Sequence, residues 1–255
     1  QILQSLPQAI QTMLDPADCG PACLSLCQDV QGETFEYPEE FFKERVHNIR
    51  RPKPDDFQIK QAVERIKNSK NPIIISGGGV FYSDAMEELS NFAVKHNIPV
   101  TQTVMGYSTM KRDHSHFVGP IGGLGGKAAN NLAKETDLAI CIGTKLADFT
   151  TGSWANFENP EFKLVSINIA RHDANKHLAE AVIGDAKVTL TELSNAIGDW
   201  KSSDSWHKKS QVELKSWNEY VDKESGPTNQ ELPSYAHAVG AIYRNSDPTD
   251  IAVTA

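Results

Sequence analysis

Three glycine-bearing stretches of this sequence could do chemistry. Ser76-Gly77-Gly78-Gly79-Val80 directly follows the apolar run Pro72-Ile73-Ile74-Ile75. Glycines there let backbone N–H groups come close to a phosphate, and a helix starting just after them favours an anion. A plain tight turn would use the same residues, and the segment is not a full G-x-G-x-x-G. Gly119 to Lys127 holds five glycines in nine residues. Its Gly123-Leu124-Gly125-Gly126-Lys127-Ala128 has the form G-x-G-x-x-A, but no strong buried strand is legible ahead of it. Ala128 also stands where a P-loop needs Ser or Thr. A close-packed loop is therefore the expectation. Gly143-Thr144-Lys145-Leu146-Ala147-Asp148 follows another apolar run. Its hydroxyls, Asp148 and the aromatics Phe149 and Trp154 could line a groove beside the triple glycine, or could simply pack the loop. Ser153 lies outside a G-x-S-x-G elbow, so a hydrolase nucleophile is not indicated.

A dinucleotide site usually places an acid after a strand to hold a ribose. The corresponding stretch here is Ile167-Asn168-Ile169-Ala170-Arg171. Asn168 cannot accept as a carboxylate does, which argues against a conventional NAD site; Arg171 could face a phosphate. The candidate ligand contacts are thus Gly77, Gly78, Gly79, Thr144, Asp148 and Arg171. Asp113-His114-Ser115-His116 and His172-Asp173 with His177 offer metal-ligand residue types. No H-E-x-x-H helix or tight cluster accompanies them, so structural or surface histidines are expected, and no catalytic or metal residue is assigned.

Such a groove needs parallel strands to hold it. Short continuously apolar runs suit strands buried on both faces. They occur at 72–76, 99–103, 138–143, 164–169 and, more weakly, 181–183. Helical patterns fall at 56–69, 84–96, 127–135 and 185–197, with Asp55 or Asp56 as a cap for the first. This alternation across residues 57–200 predicts one α/β domain with a doubly wound parallel sheet. Ile2–Leu14 reads as an amphipathic helix, ended by Asp15-Pro16. Gly20 to Leu26 reads as a short buried strand. Residues 31–56 contain Pro38, Pro52 and Pro54 and a mixed charge run, which mark a linker. Helices are expected near 206–220 and 235–243, and a last strand over 250–255.

The chain has 255 residues and a formal net charge of −8. That charge argues against a nucleic-acid partner. No apolar run approaches the roughly 18 residues of a membrane span. Cys19, Cys23, Cys27 and Cys141 form no C-x-x-C pair, and buried thiols in a reducing cytoplasm are expected.

Taken together, these stretches resemble thiamine-diphosphate-dependent enzymes of the acetohydroxyacid-synthase-like superfamily. Gly20 to Val30 looks like the end of their pyrimidine-binding domain, although Cys27 replaces a usual Pro. Pro72 to Val80, Gly143 to Asp148 and Gly184-Asp185-Ala186 resemble their Rossmann-like central domain. Asp250 to Ala255 resembles the first strand of their pyrophosphate-binding domain. Arg50-Arg51-Pro52, Asp148 to Trp154 and Asn168 to His177 are similar to the trihydroxycyclohexane-dione hydrolases of inositol catabolism. The resemblance implies a division into 1–30, linker 31–56, central domain 57–200, connector 201–230 and a further domain starting at 231–255. It also implies a homo-oligomeric parent enzyme using thiamine diphosphate and Mg²⁺. Such an enzyme would cleave a C–C bond of a cyclic dione and add water to give 5-deoxyglucuronate, the cofactor supplying the carbanion sink. The cofactor-activating glutamate and the Gly-Asp-Gly…Asn metal motif of that family are not matched here. The stretch is therefore expected to be a central fragment, inactive alone, with no nucleotide in its groove. An acetohydroxyacid-synthase-like enzyme with FAD or ADP in this domain is an alternative, as is a non-enzymatic nucleotide-binding module.

Overall fold

The structure, a computed structural model, describes residues 1–247 and 249–251. Six strands form one all-parallel sheet: β1 (Pro72–Ser76), β2 (Val100–Gln102), β3 (Phe117–Pro120), β4 (Leu138–Ile142), β5 (Lys163–Asn168) and β6 (Glu180–Ile183). Their spatial order is β3-β2-β1-β4-β5-β6. The order reverses between β1 and β4, which defines a doubly wound sheet with its switch point there.

Both faces of the sheet are covered, and the strand sequences show why. In β4, Leu138, Ile140 and Ile142 enter one core while Ala139 and Cys141 enter the other. In β1, Ile74 faces the first core and Ile73 and Ile75 the second. Every second side chain points to the opposite face, so a strand apolar at all positions fills two cores. The first core is closed by α2 (Asp56–Asn68), α4 (Met86–His96) and α8 (Ala186–Ile197), which contribute Ala62, Ile66, Leu89, Phe92, Leu190 and Leu193. The second is closed by α5 (Lys127–Glu135) and α9 (Asp204–Glu224) through Leu132 and Trp206. Each of α2, α8 and α9 starts at a capping side chain. Asp55 accepts from Phe57 N–H, Asp185 from Lys187 and Val188 N–H, and Ser203 from Trp206 N–H. Short helices α3 (Gly78–Tyr82), α6 (Asp148–Thr151) and α7 (Arg171–Ala174) follow β1, β4 and β5, and α10 (Tyr235–Asn245) lies beyond α9.

Most predicted elements occur within one or two residues of their expected ends; three readings change. First, β3 is a strand that apolar runs did not reveal, because it is only four residues long at the sheet edge. A strand therefore does precede the glycine-rich segment 119–127. Second, Gly20 to Leu26 forms no strand; no partner strand pairs its backbone, and Pro21 removes one donor. Cys19, Cys23 and Cys27 are accordingly exposed rather than buried. Cys141 alone is buried, and burial pushes its thiol pKa up. Third, the predicted last strand lies mostly outside the described residues, and Asp250 and Ile251 are not in a strand. The amphipathic helix α1 (Ile2–Leu14) forms as expected, yet none of its residues is buried.

The linker is fixed at its end. Arg51 donates to Ser83 Oγ at 3.1 Å, to Asp185 Oδ2 at 3.1 Å and to the Ser83 carbonyl. Asp185 N–H donates to Pro52 O at 2.9 Å. The Arg50-Arg51-Pro52 and Gly184-Asp185-Ala186 stretches, far apart in sequence, thus meet at one point.

Candidate functional site

In an open α/β sheet the ligand crevice lies beyond the carboxyl ends of the strands at the switch point. Here that place lies between Gly77–Gly79, after β1, and Gly143–Thr144, after β4. The two loops are in direct backbone contact. Gly77 N–H donates to Ile142 O at 2.8 Å, and Gly79 N–H donates to Gly143 O at 2.9 Å. A Cβ on Gly79 would lie 2.6 Å from Gly143 Cα, and one on Gly77 2.6 Å from Thr144 Cβ. Gly143 has a φ of +60°, in the left-handed region that glycine enters freely. The glycines therefore bring backbone to backbone. The amide of Gly79, one of those a phosphate would need, already has a carbonyl partner.

The remaining candidates are arranged around this contact. Thr144 is buried, and its Oγ1 accepts from Leu146 N–H at 3.2 Å. Asn168 is also buried: its Nδ2 donates to Thr144 O at 3.2 Å and its Oδ1 accepts from Ala170 N–H at 3.0 Å. Its amide joins the β4 and β5 loops, where a ribose-binding acid would face a ligand. Gly78 is buried beside Met105. Asp148 and Arg171 open the four-residue helices α6 and α7 and are both exposed. The structure thus brings Gly77, Gly79, Gly143 and Thr144 together, and it leaves Asp148 and Arg171 at the surface.

The second glycine-rich segment likewise has backbone amides engaged within the protein. Gly122 N–H donates to Asn130 Oδ1 at 2.9 Å, and Asn130 Nδ2 donates back to Gly122 O at 3.0 Å. Gly123 N–H donates to Phe149 O at 2.7 Å, and Gly126 N–H to Pro120 O at 2.8 Å. Its amides hold the loop rather than face outward.

Two features escaped the sequence reading. A buried hydroxyl pair, Ser76 Oγ and Thr109 Oγ1 at 2.8 Å, draws the loop after β2 over the end of β1, and Gln102 Nε2 donates to Met110 O at 3.0 Å. Ser76 is legible as the last residue of a strand, but nothing marks Thr109 as its partner. Trp154 and His177, from the loops after β4 and β5, meet edge to face with centroids 4.6 Å apart. Among the described residues no group of three His, Cys, Asp or Glu is placed to hold a metal ion. No described helix is long and apolar enough to cross a membrane.

A family profile described as thiamine pyrophosphate enzyme, central domain, matches residues 59–193, the stretch that carries the switch-point sheet. The chain belongs to the thiamine pyrophosphate enzymes. Within this family it is similar to a 3D-(3,5/4)-trihydroxycyclohexane-1,2-dione hydrolase of Clostridium perfringens (strain 13 / Type A), at 42% identity over 88% of this chain and 35% of the relative. A relative of the same description from Clostridium botulinum (strain Alaska E43 / Type E3) is 45% identical over 76% of this chain and 30% of its own length. One from Bacillus anthracis (strain CDC 684 / NRRL 3495) is 38% identical over 94% of this chain and 39% of its own length. The chain thus spans about a third of the length of the curated relatives it matches. The matched stretch includes both loops of the switch-point crevice, Gly77–Gly79 and Gly143–Thr144, which are joined backbone to backbone.

Proposed function

We propose that this chain is the central part of a thiamine-diphosphate-dependent hydrolase that opens the ring of trihydroxycyclohexane-1,2-dione to 5-deoxyglucuronate. The observation that carries this reading is sustained identity, across most of the chain, to relatives named for that hydrolysis. In this reading residues 1–30 end a pyrimidine-binding domain, 31–56 link it, 57–200 form the central domain, 201–230 connect, and 231–255 begin a pyrophosphate-binding domain. Thiamine diphosphate supplies the carbanion sink, and Mg²⁺ accompanies its pyrophosphate. Their ligands are not among the residues assigned here. The parent protein works as a cytoplasmic homo-oligomer without nucleic acid.

Gly77, Gly78, Gly79, Thr144, Asp148 and Arg171 mark the groove in which relatives of this fold could hold a nucleotide. We read that groove as vestigial. The Gly79–Gly143 hydrogen bond and the engaged Asn168 amide support this, because phosphate and ribose would compete for groups already paired.

The test is the full-length protein with thiamine diphosphate, Mg²⁺ and the dione in ¹⁸O-labelled water. Ring opening with one labelled oxygen in the product carboxylate is expected, and activity should fall away when thiamine diphosphate is removed. Acetolactate formation from pyruvate with bound FAD, and no ring opening, would overturn the proposal in favour of a synthase. Residues 1–255 alone should be inactive on the dione. Calorimetry of this chain with ADP or FAD should give no binding in the micromolar range; micromolar binding would refute the vestigial groove.

A further inference from the structure

The amino ends of the strands carry a second cluster that the groove does not use. Three of the eight histidines, His114, His116 and His207, gather where the start of β3 and the first turns of α9 meet, and His96 at the end of α4 turns instead to Trp200 O at 2.8 Å and Ser194 Oγ at 3.2 Å. His116 is buried directly ahead of β3. Its ring stacks on that of His207 from α9, with centroids 4.2 Å apart and planes 22° from parallel. Its Nδ1 lies 3.0 Å from Ser115 Oγ and its Nε2 3.3 Å from Asn97 Oδ1. A neutral imidazole satisfies both contacts, donating to Asn97 and accepting from Ser115. His207 Nδ1 is buried with no partner among the described residues.

A neutral pair suits this arrangement and a charged pair does not. A proton on His207 Nδ1 would create a buried donor without an acceptor, and a second proton on His116 would place two like charges face to face. Burial lowers the His116 pKa to about 4, with His207 and His114 adding to the effect. Burial also lowers that of His207, opposed by Asp204 in the first turn of α9. The Asp204 carboxylate is shared, accepting from Asn97 Nδ2 at 3.1 Å. Lys95 and Lys201 flank His96 and disfavour its charged form, which burial disfavours most. Further along α9, Lys209 turns away to Glu135 of α5.

We propose that the stacked His116–His207 pair is a proton-operated latch that holds α9 against the sheet. Neutral rings keep α9 docked, with Trp206 Nε1 donating to Pro72 O at 2.8 Å. Protonation separates the rings and releases the helix. The far end of α9 carries α10 with it, through Arg244 Nη1 donating to Ser225 O at 2.6 Å. Acid would therefore loosen α9 and α10 together while the six-stranded sheet persists. The sign follows from linkage. The docked state holds these histidines neutral, so docking is fully supported above the ordinary histidine value of about 6.5. It weakens as pH falls from there toward about 4, by up to about tenfold per pH unit for each proton taken up.

Hydrogen–deuterium exchange of the full-length protein at pH 7, 6 and 5, normalised to intrinsic exchange at each pH, tests this. Protection of α9 peptides should fall about tenfold between pH 6 and 5, while α2 and β4 peptides keep theirs. His207→Phe retains a ring to stack and cannot take a proton; His116→Gln retains polar contacts at the other position. Each should shrink the fall. Protection of α9 that stays flat with pH, that is lost in step with α2, or that falls as far in both variants as in the unaltered protein would overturn the latch. These outcomes do not depend on which reaction the parent enzyme performs.

Discussion

Residues 1–50 and the sheet domain that follows contain similar apolar residue types and use them in opposite ways. None of residues 1–50 is buried, although Leu26, Phe35, Phe42, Val46 and Ile49 are among them. In the sheet, all five residues of β1 and all five of β4 are buried. The difference teaches that hydrophobic composition alone does not make a core. A strand buries its side chains only when neighbouring strands accept its backbone hydrogen bonds and helices cover both faces. The largest effect that would break this comparison lies at Phe92, which is 1% exposed in the first core. Phe92→Ala is expected to destabilise the fold by roughly 3–5 kcal/mol. Phe42→Ala, at a ring 71% exposed, should stay within about 0.5 kcal/mol. Urea unfolding of both variants measures the contrast; equal losses would mean that residues 1–50 share the core.

Asp185 stands where the two regions join. Its side chain is 6% exposed, against 35% for its partner Arg51. It caps α8 through two backbone amides, accepts from Ser83 Oγ at 2.5 Å and receives Arg51 from the end of the linker. Asp185→Ala removes the cap, leaves Ser83 Oγ–H without its acceptor and leaves Arg51 only its contacts to Ser83. A loss of about 2–3 kcal/mol is expected, reduced from that of a fully buried pair because Arg51 is partly solvated. Arg51→Ala should lose less, since the cap survives. The two urea midpoints in that order would confirm the division of labour, and the reverse order would refute it.

The α/β alternation was legible because the strands of a two-faced parallel sheet are apolar at nearly every position, and helices that cover them carry caps such as Asp55 and Asp185. Edge strand β3 was not legible, since four residues ending in Gly119-Pro120 carry no periodic signal. The Gly20–Leu26 reading failed for the converse reason: an apolar run resembles a strand whether or not a partner exists. At the groove, the glycine positions were legible but their use was not. Gly77-Gly78-Gly79 reads equally as a phosphate cradle or as a place for another chain segment. Only tertiary structure places Gly143 against it. The histidine stack was hidden too, because His116 and His207 lie on elements distant in sequence.

The two uses of glycine separate experimentally by a smaller effect. Gly79→Ala puts a methyl group 2.6 Å from Gly143 Cα, which is backbone and cannot swing aside. Overpacking of this kind is expected to destabilise by roughly 1–3 kcal/mol. A glycine kept only to admit a ligand would tolerate the methyl group in the unliganded protein. Unchanged stability, with or without nucleotide binding in the parent, would therefore remove the close-packing account of the groove.

The smallest expected effect sharpens the comparison most. Among the described residues, one hydrogen bond joins residues 1–49 to the rest: Arg50 to Asp15 at 3.3 Å. Removing residues 1–49 while keeping Arg51 and its clamp should move the thermal midpoint of the sheet domain by no more than about 2 °C. Thiol chemistry gives a second reading of the same division. Cys19, Cys23 and Cys27 should all react with a disulfide reagent in the native protein, whereas Cys141 should react only as the sheet unfolds. Burial raises the Cys141 pKa, so little thiolate is present there at neutral pH even when the reagent can reach it. Three fast thiols and one slow thiol, with an unmoved midpoint after truncation, would show that the fold resides in residues after the linker clamp. A large drop in the midpoint would instead assign packing energy to a segment whose side chains are all at least partly exposed.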